Sequence, residues 1–182
     1  MKVREARRIC VHGPTGSGKT TFARQLGERL SLPVCELDAL FHCHPDWQDA
    51  TTEEFRASVI EWLALHPEGW VIEGNYGSAR DLVHADAQVA IWFQLPWRVS
   101  FSRMVRRTVR RSFTRELLWG VNRESWRLSF LSKDSLILWG LTHHGAHRRS
   151  MGASLRTART NGTRVIVLRR TRDVRRLLAS LG

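Results

Sequence analysis

The chain has 182 residues, 42% of them hydrophobic and 25% charged, a balance that predicts one globular domain, 1–182, and excludes global disorder. No stretch approaches eighteen consecutive apolar residues, which excludes a helix that crosses a membrane. The net charge of +12 is unevenly placed: residues 1–97 carry nine Lys or Arg against thirteen acids, a balance of −4, whereas residues 98–182 carry twenty against four, a balance of +16.

Met1-Lys2-Val3-Arg4-Glu5 lacks the apolar core of a signal peptide, and Cys10, Cys35 and Cys43 form an odd, irregularly spaced set. The expectation is a cytoplasmic protein without disulfides. Arg8-Ile9-Cys10-Val11-His12 is a short apolar run ending at glycine and reads as a buried strand. From Lys19 to Leu30 the spacing of Phe22, Leu26 and Leu30 predicts a helix with one apolar face. Pro33-Val34-Cys35-Glu36-Leu37 reads as a second strand. Thr51 with Glu54 makes a capping box that opens a helix through Phe55, Val59, Trp62 and Leu63 to about His66. Trp70-Val71-Ile72-Glu73 is a third strand, and Gln88 to Leu95 a fourth, stopped by Pro96. A long helix is predicted from near Pro96 to about Arg111. Between Arg111 and about Arg149 the strand signals vanish, and apolar clusters such as Leu117-Leu118 and Leu136 to Trp139 suggest short helices in a lid or helical insertion, 111–149. Arg164 to Leu168 is the fifth strand, followed by a closing helix from Asp173 to Leu181. Five apolar strands alternating with helices predict an α/β fold whose parallel sheet is covered on both faces.

Gly13-Pro14-Thr15-Gly16-Ser17-Gly18-Lys19-Thr20 satisfies G-x-x-x-x-G-K-[ST] between a predicted strand and a predicted helix, the context that gives this pattern its meaning. Glycines let backbone amides turn inward around phosphate oxygens, and the helix beginning near Lys19 aims its positive dipole end at them. The expectation is that Gly13, Thr15, Gly16, Ser17, Gly18, Lys19, Thr20 and Thr21 cradle the phosphates. Lys19 would reach the β- and γ-phosphates, and the Thr20 hydroxyl would ligate Mg²⁺. Acids that complete such a metal site belong at the carboxyl ends of neighbouring strands. Glu36 and Asp38 end the second strand and Glu73 ends the third. Asp38 is also placed to contact an acceptor and take its proton. Each of these carboxylates has the alternative of being a solvated strand-end acid.

With the phosphate loop, Pro33 to Phe41, Trp70-Val71-Ile72-Glu73-Gly74-Asn75-Tyr76, Gln94-Leu95-Pro96 and Val165 to Arg169 in view, nearly the whole chain resembles the small bacterial P-loop proteins known as topology modulation proteins. These belong with the adenylate-kinase-like nucleotide and metabolite kinases. The resemblance implies a three-layer P-loop fold with strand order 2-3-1-4-5, ATP as phosphate donor, an acceptor region after strand two, and an Arg-bearing lid after strand four. It places Glu73 where nucleotide kinases usually carry an aspartate near Mg²⁺. Gly74, Asn75 and Phe41 line the acceptor side, and Arg169-Arg170-Thr171 form the loop that packs on adenine. Gln94 stands where related sequences often carry an aspartate and is not counted as a metal ligand.

Of the 29 basic residues 26 are Arg, whose planar fork matches phosphate oxygens in pairs. Arg103, Arg107 and Arg111 recur at i, i+4 and i+8, with Arg106 and Arg110 as a second stripe. Arg107, Arg111 and Arg115, with Arg123, are the candidates for neutralising charge as a phosphoryl group moves. A solvated helix face and a nucleic-acid docking surface are the alternatives. His42-Cys43-His44 and His143 with His147 lack four convergent ligands and do not read as zinc sites. Two functions follow. One is an ATP-dependent phosphotransferase using Mg²⁺ and a small acceptor. The other is a nucleotide-switched nucleic-acid-binding protein, whose contacts would be weak and phosphate-led because no base-reading module is visible. A monomer or homodimer is expected, and no N-K-x-D run specifies guanine.

Overall fold

The computed structural model describes the backbone of residues 2–45, 48–114, 117–118, 122–123 and 136–181. Side chains are described within those limits up to residue 110, at Gly145, and from 148 onward. In chain order the first half contains β1 (Arg8–His12), α1 (Lys19–Leu30), β2 (Val34–Glu36), α2 (Leu37–Phe41), α3 (Thr52–Leu65), β3 (Trp70–Glu73), α4 (Arg80–Asp86) and β4 (Val89–Phe93). Then come α5 (Trp97–Thr114), β5 (Leu117–Leu118), β6 (Asn122–Arg123), α6 (Leu136–Thr160), β7 (Arg164–Leu168) and α7 (Thr171–Ala179). Five strands form one parallel sheet in the order β2-β3-β1-β4-β7, with β1 at its centre. That is the expected order, with β7 as the fifth strand.

Alternation along each strand divides the core into two layers, as a sheet covered on both faces requires. Ile9, Val11, Val71, Val89, Ile91 and Phe93 point to one side, where Phe22 and Leu26 of α1 and the apolar positions of α7 meet them. The rings of Phe22 and Phe93 meet edge to face with centroids 5.3 Å apart. Cys10, Trp70, Ile72 and Ala90 point to the other side, against Phe55 and Val59 of α3, Val83 of α4, and Met151 and Leu155 of α6. Each fully buried Leu, Ile, Val or Phe in these layers contributes roughly 1.5–3 kcal/mol of transfer free energy. The Gln88 side-chain carbonyl accepts from the N–H groups of Arg7 and Arg8, at 2.7 and 3.1 Å. It thereby ties the entry of β1 to that of β4.

The capping box at α3 is present as predicted: Glu54 N–H donates to Thr51 Oγ1 at 3.2 Å, and Thr51 N–H to Glu54 at 2.8 Å. Three expectations need correction. Residues 136–160 form one 25-residue helix rather than short helices. A two-stranded antiparallel pair, β5 with β6, stands where the strand signals had vanished. Finally, α2 begins at Leu37, the predicted end of the second strand, and α4 lies in a stretch for which no element is predicted.

Candidate phosphate-binding site

The geometry begins at the carboxyl end of β1. Gly13 leaves the strand, the loop turns through Gly16 and Gly18 at φ of 78° and 89°, and α1 starts at Lys19. Both angles lie in the left-handed region where a Cβ is costly. At Gly16 there is also no room: a Cβ would sit 2.1 Å from the carbonyl oxygen of Ser100 and 2.8 Å from the amide nitrogen of Met104. The phosphate loop therefore rests directly on the first turns of α5. Ser17 N–H closes the loop onto Pro14 O at 3.0 Å.

Lys19 and Thr20, in the first turn of α1, converge on Glu73. The Thr20 hydroxyl donates to Glu73 Oε1 at 2.7 Å, and Lys19 Nζ lies 3.4 Å from Oε2. Register explains the meeting: Val11 of β1 and Glu36 of β2 both pair with Glu73, so three strands end together beside the loop. Glu73 is 1% exposed. Burial, the largest influence, raises its pKa; Lys19 and the Thr20 hydroxyl pull it down, while Asp38 and Glu36 push it up. Oε2 has no hydrogen-bond partner among the described residues. A buried carboxylate oxygen so placed, beside a hydroxyl and near a second acid, is the hard-oxygen donor set that Mg²⁺ takes, so the residues fit that ion.

Asn75, expected on the acceptor side, also binds the phosphate loop. Gly13 N–H donates to Asn75 Oδ1 at 3.0 Å, and Asn75 Nδ2 donates back to the Gly13 carbonyl. The side chain thus clamps the root of the loop to the exit of β3. Gly74 packs against Leu37. Glu36 is engaged by Arg24 of α1, with Nε and Nη2 at 2.7 and 2.6 Å from Oε1.

On the acceptor side, Asp38 lies in the first turn of α2, and the Tyr76 hydroxyl donates to its Oδ1 at 2.9 Å. The same hydroxyl is 3.5 Å from His42 Nε2, while His42 Nδ1 meets Asp49 at 2.7 Å. Burial, then the Asp38 carboxylate, pushes the Tyr76 phenol up, so it is a proton donor in this network and stays protonated. Phe41 packs on Tyr76 and Phe55, at ring distances of 4.7 and 5.4 Å. Tyr76, His42 and Asp49 went unpredicted as functional residues. The signals for Tyr76 were its place at the end of the Trp70–Tyr76 stretch and its being the one tyrosine in the chain.

The α5 arginines divide by burial. Ser100, Met104 and Thr108 are the buried stripe, Arg107 beside it is half-buried, and Arg103, Arg106 and Arg110 are exposed. Arg103 reaches the Thr171 hydroxyl at 3.5 Å. Arg115 lies outside the described residues. The backbones of Arg111 and Arg123 lie in α5 and β6, but their side chains are outside the described set. The backbone N–H groups of Arg169 and Arg170 donate to Asp173 at 3.1 and 2.8 Å. Arg169 Nε is 3.4 Å from the Gln94 side-chain oxygen, which brings this loop beside the end of β4. Thr15 is partly buried in the loop, and Thr21 is exposed on α1.

Comparison with known proteins agrees with this architecture. Residues 9–63 match the profile of the ATPase family associated with various cellular activities (AAA). Cytidylate kinases from Chlamydia trachomatis serovar L2 and from Chlamydia muridarum are 36% identical over 56 residues, 28% of this chain. The match spans 26% of the length of those relatives. Among solved structures, a gluconokinase from Sinorhizobium meliloti superposes with a TM-score of 0.54 at 20% identity, covering 100% of this chain and 93% of its own. A shikimate kinase from Bacteroides thetaiotaomicron gives 0.54 at 15% identity, covering 97% and 96%. The fold is the three-layer α/β P-loop fold, with the loop at the carboxyl end of its central strand. Among the described residues no helix is long and apolar enough to cross a membrane.

Proposed function

We propose that the protein is an ATP-dependent phosphotransferase acting on a small acceptor. The observation that carries this reading is the convergence of Lys19 and Thr20 on buried Glu73, with Asp38 close enough to influence the same carboxylate. The loop amides and the start of α1 bind the phosphates of ATP, and Lys19 offsets charge on the β- and γ-phosphates. Thr20 and Glu73, with Asp38, would hold Mg²⁺, which supplies charge neutralisation between the phosphates.

Asp38 accepts the proton of the acceptor hydroxyl as its oxygen attacks the γ-phosphorus. The bond from that phosphorus to the β–γ bridging oxygen breaks and ADP departs. Tyr76 engages one oxygen of Asp38 and so orients the other for this role. Arg107, Arg111 and Arg115 neutralise charge on the moving phosphoryl group, with Arg123 on the acceptor side. Arg169 and Arg170 flank the base of ATP. The cytidylate kinase, gluconokinase and shikimate kinase likenesses support a nucleotide, sugar acid or carbocyclic acid as the class to test.

The test is ATP turnover with Mg²⁺ against nucleoside monophosphates, sugar acids, carbocyclic hydroxy acids and 5′-hydroxyl oligonucleotides. Acceptor-stimulated turnover is expected, with a loss of roughly 10²-fold or more in kcat for Lys19→Ala. Transfer undiminished in that variant would overturn the mechanism.

A second reading, a nucleotide-switched nucleic-acid-binding protein in line with the resemblance to topology modulation proteins, is favoured by one observation. Arg169, Arg170, Arg172, Arg175 and Arg176 are all exposed at and around α7. ATP-dependent DNA binding that is lost in Lys19→Ala, without acceptor-stimulated turnover, would select it.

A further inference from the structure

One cluster of ligating side chains lies apart from the phosphate chemistry. Cys10 and His12 are two apart on β1 and so share a face of the sheet, and His84 of α4 packs against them. One ligating atom from each lies within 4.8 Å of the other two. Cys10 is fully buried, His12 is 3% exposed and His84 is half-buried. We propose that Cys10, His12 and His84 form a buried site for a soft monovalent cation, Cu(I), immediately behind the phosphate loop.

Hydrogen bonds to Gly74 and Ser154 already orient the two imidazoles. His12 Nδ1 is 2.6 Å from the Gly74 carbonyl oxygen, which can only accept, so Nδ1 carries the proton and Nε2 presents its lone pair. This is the arrangement that fixes a metal-binding histidine. His12 Nε2 faces His84 Nε2 at 2.9 Å, so in the metal-free protein His84 Nε2 donates that hydrogen bond. His84 Nδ1 is 3.3 Å from the Ser154 hydroxyl. A serine hydroxyl donates or accepts equally well. His84 can therefore move its ring proton to Nδ1, donate it to Ser154, and turn Nε2 into a ligand. Metal–nitrogen bonds near 2.0 Å and metal–sulfur bonds near 2.3 Å span at most about 4.4 Å across one ion. A pair at the 4.8 Å limit therefore has to close by about 0.4 Å or more.

Charge selects the ion. The Cys10 thiol donates weakly to Val89 O at 3.7 Å, and burial holds its pKa up at about 12. It ionises when a cation replaces its proton. Cu(I) binds the sulfur, the thiol proton passes to solvent, and no oxidation state changes. The thiolate, the cation and two neutral imidazoles then sum to zero. Zn²⁺ with the same ligands leaves a buried positive charge beside the half-buried Arg80 guanidinium, which acts on His84 second to burial in lowering its pKa. A desolvated, unpaired charge of that kind is strongly disfavoured, whereas one thiolate and two imidazoles suit Cu(I). His42, Cys43 and His44 do not form a rival: His42 pairs with Asp49, His44 lies 3.9 Å from Glu54, and Cys43 is exposed.

The experiment is anaerobic titration of the reduced full-length protein into Cu(I)–bicinchoninate, with X-ray absorption at the copper edge. One equivalent of Cu(I) withdrawn from the chelator is expected, with one sulfur and two nitrogens around the metal. Cys10→Ser and His84→Gln should weaken binding at least 100-fold, Ser154→Ala should weaken it about 10–100-fold, and Cys43→Ser should leave it unchanged. Circular dichroism and melting curves verify that each variant is folded. If Cys10→Ser or His84→Gln does not fold, the edge spectrum of the unaltered protein and Ser154→Ala decide. Overturning results are binding unaffected by Cys10→Ser, loss in Cys43→Ser, a copper environment without sulfur, or Zn²⁺ held as tightly as Cu(I) at the same residues.

Discussion

At the residue scale the site depends on positions whose side chains, or lack of one, hold the loop rather than touch phosphate. Asn75 returns two hydrogen bonds to Gly13. Asn75→Ala leaves a backbone donor and an acceptor without partners beside the buried root of the loop, a loss of about 2 kcal/mol. The urea midpoint should fall accordingly, and KM for ATP should rise because the loop is no longer pinned to β3. An unchanged midpoint would show that water replaces the clamp at no cost. Gly16→Ala acts by exclusion: the added methyl meets the Ser100 carbonyl while φ is 78°. The left-handed backbone and the overpacking together cost about 2–4 kcal/mol. The outcome to look for is weaker nucleotide binding together with a lower melting midpoint, since α5 must retreat from the loop.

At the element scale, helix α3 is joined to α4 by a bidentate pair, with Arg56 Nη1 and Nη2 at 2.7 and 2.8 Å from the two oxygens of Asp81. Hydrogen bonding to Arg56, opposed by slight burial, lowers the Asp81 pKa. A carboxylate whose folded pKa is lowered adds stability above its unfolded pKa, and that stability is lost as pH falls through the folded value. Asp81→Asn should therefore lower the urea midpoint modestly at pH 7, because the pair is exposed. The deficit should close as pH drops below the ordinary aspartate range, and a deficit of equal size at pH 3 and pH 7 would show that pairing is not its origin. The same scale shows what was legible in the sequence. Strands β1, β3 and β7 and helix α1 were readable to the residue, because short apolar runs, ended by glycine at β1 and β3, and a four-residue apolar spacing are local signals. Helix α6 was not, because Gly140, Gly145 and Gly152 depress its intrinsic propensity. Packing restores it: a Cβ at Gly152 would already be 3.6 Å from Trp92. The phosphate loop and the place of Glu73 could be read from motif and strand ends. The Tyr76–Asp38 and His12–His84 pairings could not, since they join residues 38 and 72 apart through the sheet.

At the scale of the whole molecule, part of the charge split along the chain lies on one exposed helix. The C-terminal stretch that carries +16 includes α7, where Arg172, Arg175 and Arg176 are exposed, and the exposed Arg169 and Arg170 immediately before it. On the second reading this face would bind polyanions by releasing their counterions, and affinity for duplex DNA should then fall linearly with salt on logarithmic axes, with a slope of about −0.9 for each phosphate neutralised. No base-reading element accompanies it among the described residues, so affinity should be indifferent to sequence. Replacing Arg172, Arg175 and Arg176 together with Ala should reduce the magnitude of that slope by up to about 2.7 if each contacts one phosphate. ATP turnover should stay unchanged, because none of the three belongs to the proposed catalytic set. A slope unaltered by the triple substitution would move the polyanion contact elsewhere on the basic half. Loss of turnover with it would join this face to the phosphotransfer site and favour an oligonucleotide terminus as the acceptor.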